Sequence, residues 1–104
     1  MAQSGGIYLT IDFDWPTPFE PAHATLARRL HDVVQGQTWI NESVAASGGV
    51  GGEQDSSWVF WLENYAALDK LLRDENDEVA QAYKTFFSAM PVVTEKIREA
   101  VLFL

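Results

Sequence analysis

Cysteine is absent from this sequence of 104 residues, and basic residues and histidines are few. Without cysteine the chain can form no disulfide, no thiolate metal site and no cysteine nucleophile. Seven lysines and arginines stand against 15 acidic residues, so the formal net charge is −8 and we expect neither nucleic acid nor a membrane as partner. With only two histidines, a transition-metal site would have to be built mostly from carboxylates, and we predict no metal and no cofactor.

Long apolar runs are also missing, and the opening residues MAQSGG lack the basic start and apolar centre of a signal peptide. We therefore expect a cytoplasmic protein. The length predicts one domain over residues 1–104. A domain of this size can bury an ordinary core, but it has difficulty covering both faces of a sheet by itself.

The most apolar stretch is Ser57–Glu63, SWVFWLE, which predicts a strand without a solvent-exposed face. Successive side chains on a strand point to opposite sides, so Trp58 needs one apolar cover whereas Val59 and Trp61 need another. Each aromatic ring buries roughly 150–250 Å², and leaving either face in water would be costly. The helices of the chain can cover one face, and we predict that a second copy of the chain covers the other.

Hydrophobic periodicity predicts the remaining elements. A first helix is expected over about Glu20–Gln35, and a second helical region follows Asn64, breaks at Asp74–Glu78 and ends at Pro91. The glycine-rich segment Ser47–Ser56 is expected to be a hairpin tip. The four predicted strands are Ile7–Trp15, Thr38–Ala46, Ser57–Glu63 and Arg98–Leu104.

This order of strand, helix, strand, strand, helix, strand predicts an α+β, ferredoxin-like βαββαβ fold with a four-stranded antiparallel sheet. Crossover rules place the first and third strands in the centre, and we expect those two strands to run parallel to each other. The helices would cover one face of the sheet, and the other face would meet its counterpart in a homodimer.

In the order of its elements, its size and the pattern of its residue types, the chain resembles the dimeric α+β barrel superfamily. That superfamily includes the antibiotic-biosynthesis monooxygenases and the NIPSNAP-like proteins. The stretches most similar to that superfamily are WVFWLENYAALDKLL, residues 58–72, and DENDEVAQAYKTFFSAMP, residues 74–91. The resemblance implies two sheets facing each other across a dimer axis, with a small-molecule pocket in each protomer between sheet and helices. It also implies a range of activities that fold alone does not narrow: cofactor-free oxygenases, isomerases, cyclases, haem enzymes and inactive members. The chain departs from the NIPSNAP-like pattern by carrying Asp12 and Asp14 on its first strand where an arginine is more usual.

His23 is the candidate catalytic residue. It lies three, four and seven residues before Leu26, Ala27 and Leu30, on the apolar stripe of the first helix. An imidazole that faces a cavity between helix and sheet can act as a general base. The alternative is a partly buried histidine near the helix N-terminus that has no catalytic role. His31, at the edge of the stripe, is a weaker candidate.

Aromatic and polar residues on the strands and later helices are the candidate ligand-binding set. Stacking surfaces beside an amide suit a flat aromatic ligand, and inward-facing tyrosines would add hydroxyls. The alternative is that the aromatic residues pack the core and a dimer interface. Asp12 would supply a carboxylate, unless it pairs with Arg28, Arg29 or Arg98 or lies at a solvated strand end. The full set is Trp39, Asn41, Trp58, Trp61, Tyr65, Tyr83 and Asp12.

The run GGVGG, residues 48–52, is not a phosphate-binding loop, because no Lys-Ser/Thr follows it and acidic residues lie beside it. It is expected to be a lid or a dimer contact.

Together, the fold, the resemblance and the candidate residues predict a homodimer that binds a small apolar or aromatic metabolite and acts as a cofactor-independent monooxygenase, isomerase or cyclase. The alternative is a non-catalytic binding or assembly module of the same fold, and a haem-binding member is a weaker third option.

Overall fold

The computed structural model describes residues 5–48 and 55–101, so most of the predicted hairpin tip lies outside the described residues. The secondary-structure elements follow the predicted order, with the second helical region divided in two. They are β1 (Ile7–Asp14), α1 (Pro21–Val34), β2 (Ile40–Ser47), β3 (Ser56–Leu62), α2 (Tyr65–Arg73), α3 (Glu78–Ser88) and β4 (Val92–Glu99). Within the two described ranges, no helix is long and apolar enough to cross a membrane.

The four strands form one sheet in the order β2-β3-β1-β4, and every neighbouring pair is antiparallel. This confirms the predicted ferredoxin-like α+β fold with β1 and β3 in the centre. The expected parallel orientation of β1 and β3 is wrong, since Ile7 of β1 pairs with Leu62 at the far end of β3. In a split βαβ unit the parallel strands are β1 and β2, and β3 is inserted between them in the opposite direction.

The two faces of the sheet differ in cover. Along β1 and β3, buried residues alternate with half-buried ones, which shows that the helices cover one face only. Trp58 on the covered face is 3% exposed, whereas Val59 and Trp61 on the other side of β3 stay half-buried. The helices therefore cover one face of this strand, as predicted, and cover of its other face by a second copy of the chain stays a prediction. We call the uncovered side the open face, and its residues include Tyr8, Thr10, Asp12, Val44, Val59, Trp61, Lys96 and Arg98.

Local caps set where the later helices begin. The Asn64 side chain accepts a hydrogen bond from the Ala67 backbone N–H at 2.9 Å and starts α2, as predicted. The Asp77 carboxylate accepts bonds from the N–H groups of Val79 and Ala80 at 2.9 and 3.1 Å and starts α3. The acidic segment therefore separates two helices because one of its aspartates caps the second.

The predicted bounds of β4 are wrong. The strand covers Val92–Glu99 rather than Arg98–Leu104, because it pairs with β1 from Asp14 opposite Val92 to Ile7 opposite Glu99. Residues 102–104 lie outside the described part of the chain. On its helix side β4 alternates apolar with acidic residues, and sequence periodicity alone gives such a strand no clear face.

A register shift in β2 also breaks the predicted alternation. Ile40 pairs with Leu62 and Glu42 pairs with Trp61, so the bulge between Ile40 and Glu42 leaves one residue of β2 without a paired residue on β3. Beyond the bulge, Ser43 returns to the same side of the sheet as Ile40. The bulge therefore decides which residues of β2 face α1.

Candidate ligand-binding site

A pocket of about 450 Å³ lies between α1 and the β2 side of the sheet, and we call it the α1 pocket. Its volume falls in the range typical of small-molecule sites. The lining combines large aromatic rings, small residues of α1 and β2, and two residues with ionisable side chains on α1. These residues are Phe13, Trp15, Phe19, Trp58, Ala24, Ala27, Ala45, Ala46, Ser47, Arg28 and His31.

Trp15 forms one wall of the α1 pocket and is held in place on both sides. Its ring packs edge-on against Phe13 at 5.2 Å and against Phe19 at 5.3 Å between centroids. Its Nε1 donates to the hydroxyl oxygens of Ser56 at 2.8 Å and Ser47 at 3.2 Å, and those two oxygens are 2.6 Å apart. The indole is thus fixed by the paired strands β2 and β3, and its polar atom is satisfied.

Trp58 contributes to the same pocket and was predicted from sequence as a ligand-binding residue. Its Nε1 donates to the Ser43 hydroxyl at 2.8 Å, and its ring stacks on Phe60 at 5.9 Å. Because the N–H groups of Trp15 and Trp58 are both bonded inside the protein, these two walls offer ring surface rather than free donors. Such walls suit a flat apolar ligand.

Arg28 and His31 lie on the rim of the α1 pocket. They are three residues apart on α1 and therefore share one face of the helix. Arg28 Nε lies 3.5 Å from Asp32 Oδ1 in an exposed ion pair. Among the described lining residues, these two side chains alone are ionisable. Phe19, at the mouth, is 52% exposed.

His23, the predicted catalytic residue, is half-buried at the N-terminus of α1 and does not line the α1 pocket. Its Nδ1 accepts a hydrogen bond from the Glu20 backbone N–H at 3.0 Å, as part of a capping box. Its ring lies 5.8 Å from that of Phe19. These contacts describe a helix-capping residue, and the catalytic role of His23 stays a prediction.

Trp39 and Asn41 lie near the start of β2, at the end of the strand away from the α1 pocket. Trp39 Nε1 donates to Gln37 Oε1 at 3.2 Å, and Lys70 Nζ lies 4.8 Å from the centre of its ring. Asn41 is exposed beside the bulge. The structure does not bring this pair together with Trp58, and their ligand-binding role stays a prediction.

Trp61 and Asp12 lie on the open face. The Trp61 ring stacks on Tyr8 at 5.6 Å with an angle of 8° between the rings, and its Nε1 donates to the Gly5 carbonyl at 2.6 Å. Asp12 accepts from the Ser57 hydroxyl at 2.5 Å and pairs with Lys96 at 3.5 Å. Asp12 therefore has a basic partner, as the alternative interpretation expected, although that partner is a lysine of β4 rather than an arginine.

Tyr65 and Tyr83 each donate a hydrogen bond to a carboxylate on β4, Tyr65 to Glu99 and Tyr83 to Glu95. Tyr83 is buried, as predicted, and lines a broad groove of about 820 Å³ between the helices α2 and α3 and strand β4. Tyr65 is 55% exposed, so its predicted inward position is wrong. It stands in the first turn of α2, where the hydroxyl reaches the end of β4.

Burial, with a smaller effect of the hydrogen bond to Glu95, raises the pKa of Tyr83 far above its ordinary value of 10.0. The folded protein therefore keeps this hydroxyl protonated at pH values where the unfolded chain ionises it, and stability present below pH 10 is lost as the pH rises. As the pH rises from 9 to 11, the unfolding free energy of wild type should fall by about 1 kcal/mol more than that of Tyr83→Phe, which has no hydroxyl at this position to ionise. Urea unfolding at pH 9, 10 and 11 measures this difference. Equal losses in the two proteins would contradict it.

Sequence reasoning missed Trp15, Phe19 and Arg28 as pocket residues. The available signal was the segment Trp15–Phe19, WPTPF, in which two prolines hold two aromatic residues close together directly after a strand.

Among the described residues, no group of three or more histidine, aspartate or glutamate side chains could hold a metal ion.

No protein-family model matches the chain, and no curated protein matches it either. Solved structures do share its fold. A dimeric ferredoxin-like protein of unknown function from Thermobifida fusca YX superposes with a TM-score of 0.73 at 13% identity, covering 96% of this chain and 95% of its own. The hydroxynitrile lyase of Passiflora edulis gives a TM-score of 0.71 at 9% identity and coverages of 96% and 98%.

A dimeric ferredoxin-like protein of unknown function from Bacteroides fragilis NCTC 9343 gives a TM-score of 0.65 at 10% identity, with coverages of 95% and 100%. At such identities the likeness shows the fold alone. The chain therefore has the ferredoxin-like α+β fold. The finer resemblance to antibiotic-biosynthesis monooxygenases and NIPSNAP-like proteins is not confirmed.

Proposed function

We propose that this chain is a homodimeric small-molecule-binding protein whose ligand is a flat, largely apolar compound held in the α1 pocket of each protomer. The observation that carries this proposal is the aromatic lining of that pocket. Half-buried Trp15 presents ring surface, Trp58 lines the pocket with only 3% of its surface exposed, and Phe19 stands 52% exposed at the mouth. The N–H groups of both tryptophans are already bonded. An exposed aromatic ring over an apolar cavity gains contact area when a flat ligand enters.

The homodimer part of the proposal rests on the open face. Val44 is 48% exposed there, and Val59, Tyr8 and Trp61 are half-buried, so apolar surface of three adjacent strands faces outward. Contiguous apolar surface of this kind is typical of interaction sites. A second copy of the chain would place the same surface opposite, and two of the structures with this fold are described as dimeric.

Binding is the function that the geometry supports best, and catalysis would require a proton acceptor beside the ligand. His31 on the rim of the α1 pocket supplies an imidazole, the side chain best suited to exchange protons near neutral pH. A cofactor-independent isomerase, cyclase or monooxygenase would use His31 in this position. A non-catalytic binding module would keep the pocket and need no such group.

Filling the α1 pocket should remove ligand binding. Ala24 lines the pocket and is exposed, so Ala24→Phe would place a ring in the cavity without disturbing the core. We expect this variant to bind the neutral probe 2-naphthamide at least about tenfold more weakly than wild type, measured by isothermal titration calorimetry, because the two rings compete for the same space.

Ala22→Phe is the matched control for this experiment. Ala22 is also exposed on α1, but it does not line the α1 pocket. We expect its affinity for 2-naphthamide to stay within about twofold of wild type, since surface substitutions away from a site change little. Equal binding by wild type and Ala24→Phe would place the ligand elsewhere and refute the proposed site.

A further inference from the structure

We propose that the ligand of the α1 pocket is a planar arene carboxylate, and that Arg28 and His31 select it by its anionic group. This inference rests on the proposed function and deepens it, since it names the chemical class of the ligand. It follows from three properties of the pocket: where its polar groups lie, what charge they carry, and how easily Arg28 exchanges its present partner.

The polar groups of the α1 pocket are concentrated at its rim. Inside, the N–H groups of Trp15 and Trp58 and the hydroxyl of Ser47 are engaged in hydrogen bonds with other protein groups. The His31 imidazole has no hydrogen-bond partner among the described residues, and Arg28 has guanidinium N–H groups beyond the one that faces Asp32. A ligand that enters ring-first therefore finds ring surface at depth and hydrogen-bond donors at the mouth.

The charge of this rim is opposite to that of the whole chain. The chain carries a net charge of −8, yet the residues that line the α1 pocket include a permanently positive arginine and no acidic side chain. A cationic ligand would meet Arg28 directly, and a neutral arene would leave its donors unused. A carboxylate matches the planar guanidinium fork, which can bind both carboxylate oxygens at once.

Arg28 already holds a carboxylate, but loosely. Its Nε lies 3.5 Å from Asp32 Oδ1, and the side chains of both residues are largely exposed. Exposed ion pairs of this spacing on a helix contribute little to stability, because water and salt screen them. A ligand carboxylate can therefore take the place of Asp32 on the guanidinium, while His31 donates a second hydrogen bond from the same face of α1.

The test compares 2-naphthoate with its neutral counterpart 2-naphthamide, by calorimetry at low salt. We expect wild-type protein to bind 2-naphthoate about tenfold or more tightly than 2-naphthamide, the size expected for a charge-assisted hydrogen-bonded pair. Arg28→Gln should reduce this preference to about twofold or less with little change for 2-naphthamide. Arg28→Lys keeps the charge without the fork and should retain part of it.

Arg29→Gln is the matched control, because Arg29 is the next residue of α1, carries the same charge and does not line the α1 pocket. It should preserve the preference for 2-naphthoate. Equal binding of both probes by wild type, or a full preference in Arg28→Gln, would overturn the inference and leave the proposed pocket standing. Binding of neither probe to wild type would overturn the inference and the proposed function together.

Discussion

Replacing Gly6 with alanine should destabilise the protein by about 2–5 kcal/mol, the sum of a left-handed backbone penalty and overpacking. Gly6 has a φ of +87°, and a Cβ there would clash with the Leu62 carbonyl oxygen and would lie 2.7 Å from Trp61 Nε1. Neither atom can move cheaply, since Leu62 is strand backbone and the indole is bonded to Gly5. Urea unfolding monitored by tryptophan fluorescence gives the difference.

Gly36→Ala is the control that separates the two causes. Gly36 has a φ of +77°, yet no atom lies within 4 Å of the position its Cβ would take. Its cost should therefore be the backbone penalty alone, about 1–2 kcal/mol. If the two variants lose the same free energy of unfolding, the close approach of Gly6 to β3 contributes nothing.

Val59→Asp should dissociate the proposed homodimer, weakening association at least about 100-fold. Val59 lies on β3 between Thr10 of β1 and Val44 of β2, in the middle of the open face. If a second copy covers that face, the new carboxylate loses water on association and no basic group lies directly opposite it on either strand. Sedimentation velocity over a range of protein concentrations measures the dissociation constant.

Ile97→Asp is the matched control for the site of association. Ile97 is also a strand residue, 46% exposed, but it lies on the helix side of β4, opposite Leu9. Its substitution should leave association unchanged. A dimer that survives Val59→Asp and is lost with Ile97→Asp would use the other side of the sheet, and a wild-type monomer would refute the homodimer itself.

The element order could be predicted from sequence because it depends on local patterns. The alternation after Ile7, the cap at Asn64 and the apolar run around Trp58 each act within a few residues of the chain. The bounds of β4 depend instead on which residues of β1 it pairs with, and the bulge in β2 depends on β3. Tertiary pairing decides both, and it overrides the local pattern.

The candidate site was predictable in part for the same reason. Trp58 could be predicted because it lies in an uninterrupted apolar strand. Trp15 and Phe19 form a wall of the α1 pocket only because the chain turns after β1. His23 and His31 are both on α1, and helical periodicity favoured the histidine closest to the buried stripe. The pocket opens beside that stripe, along the face that carries Ala24 and His31, because α1 lies near the β2 edge of the sheet.

The placement of the four tryptophans gives the protein internal optical reporters. Trp15 and Trp58 border the α1 pocket, and Trp61 lies on the open face. Trp39 lies near Lys70, outside both of these regions. Each indole N–H is bonded to a different set of protein oxygens, so the four rings have distinct surroundings. Occupation of the pocket and association of two chains would therefore change the emission of different residues, and variants that keep a single reporting tryptophan would follow the two events separately.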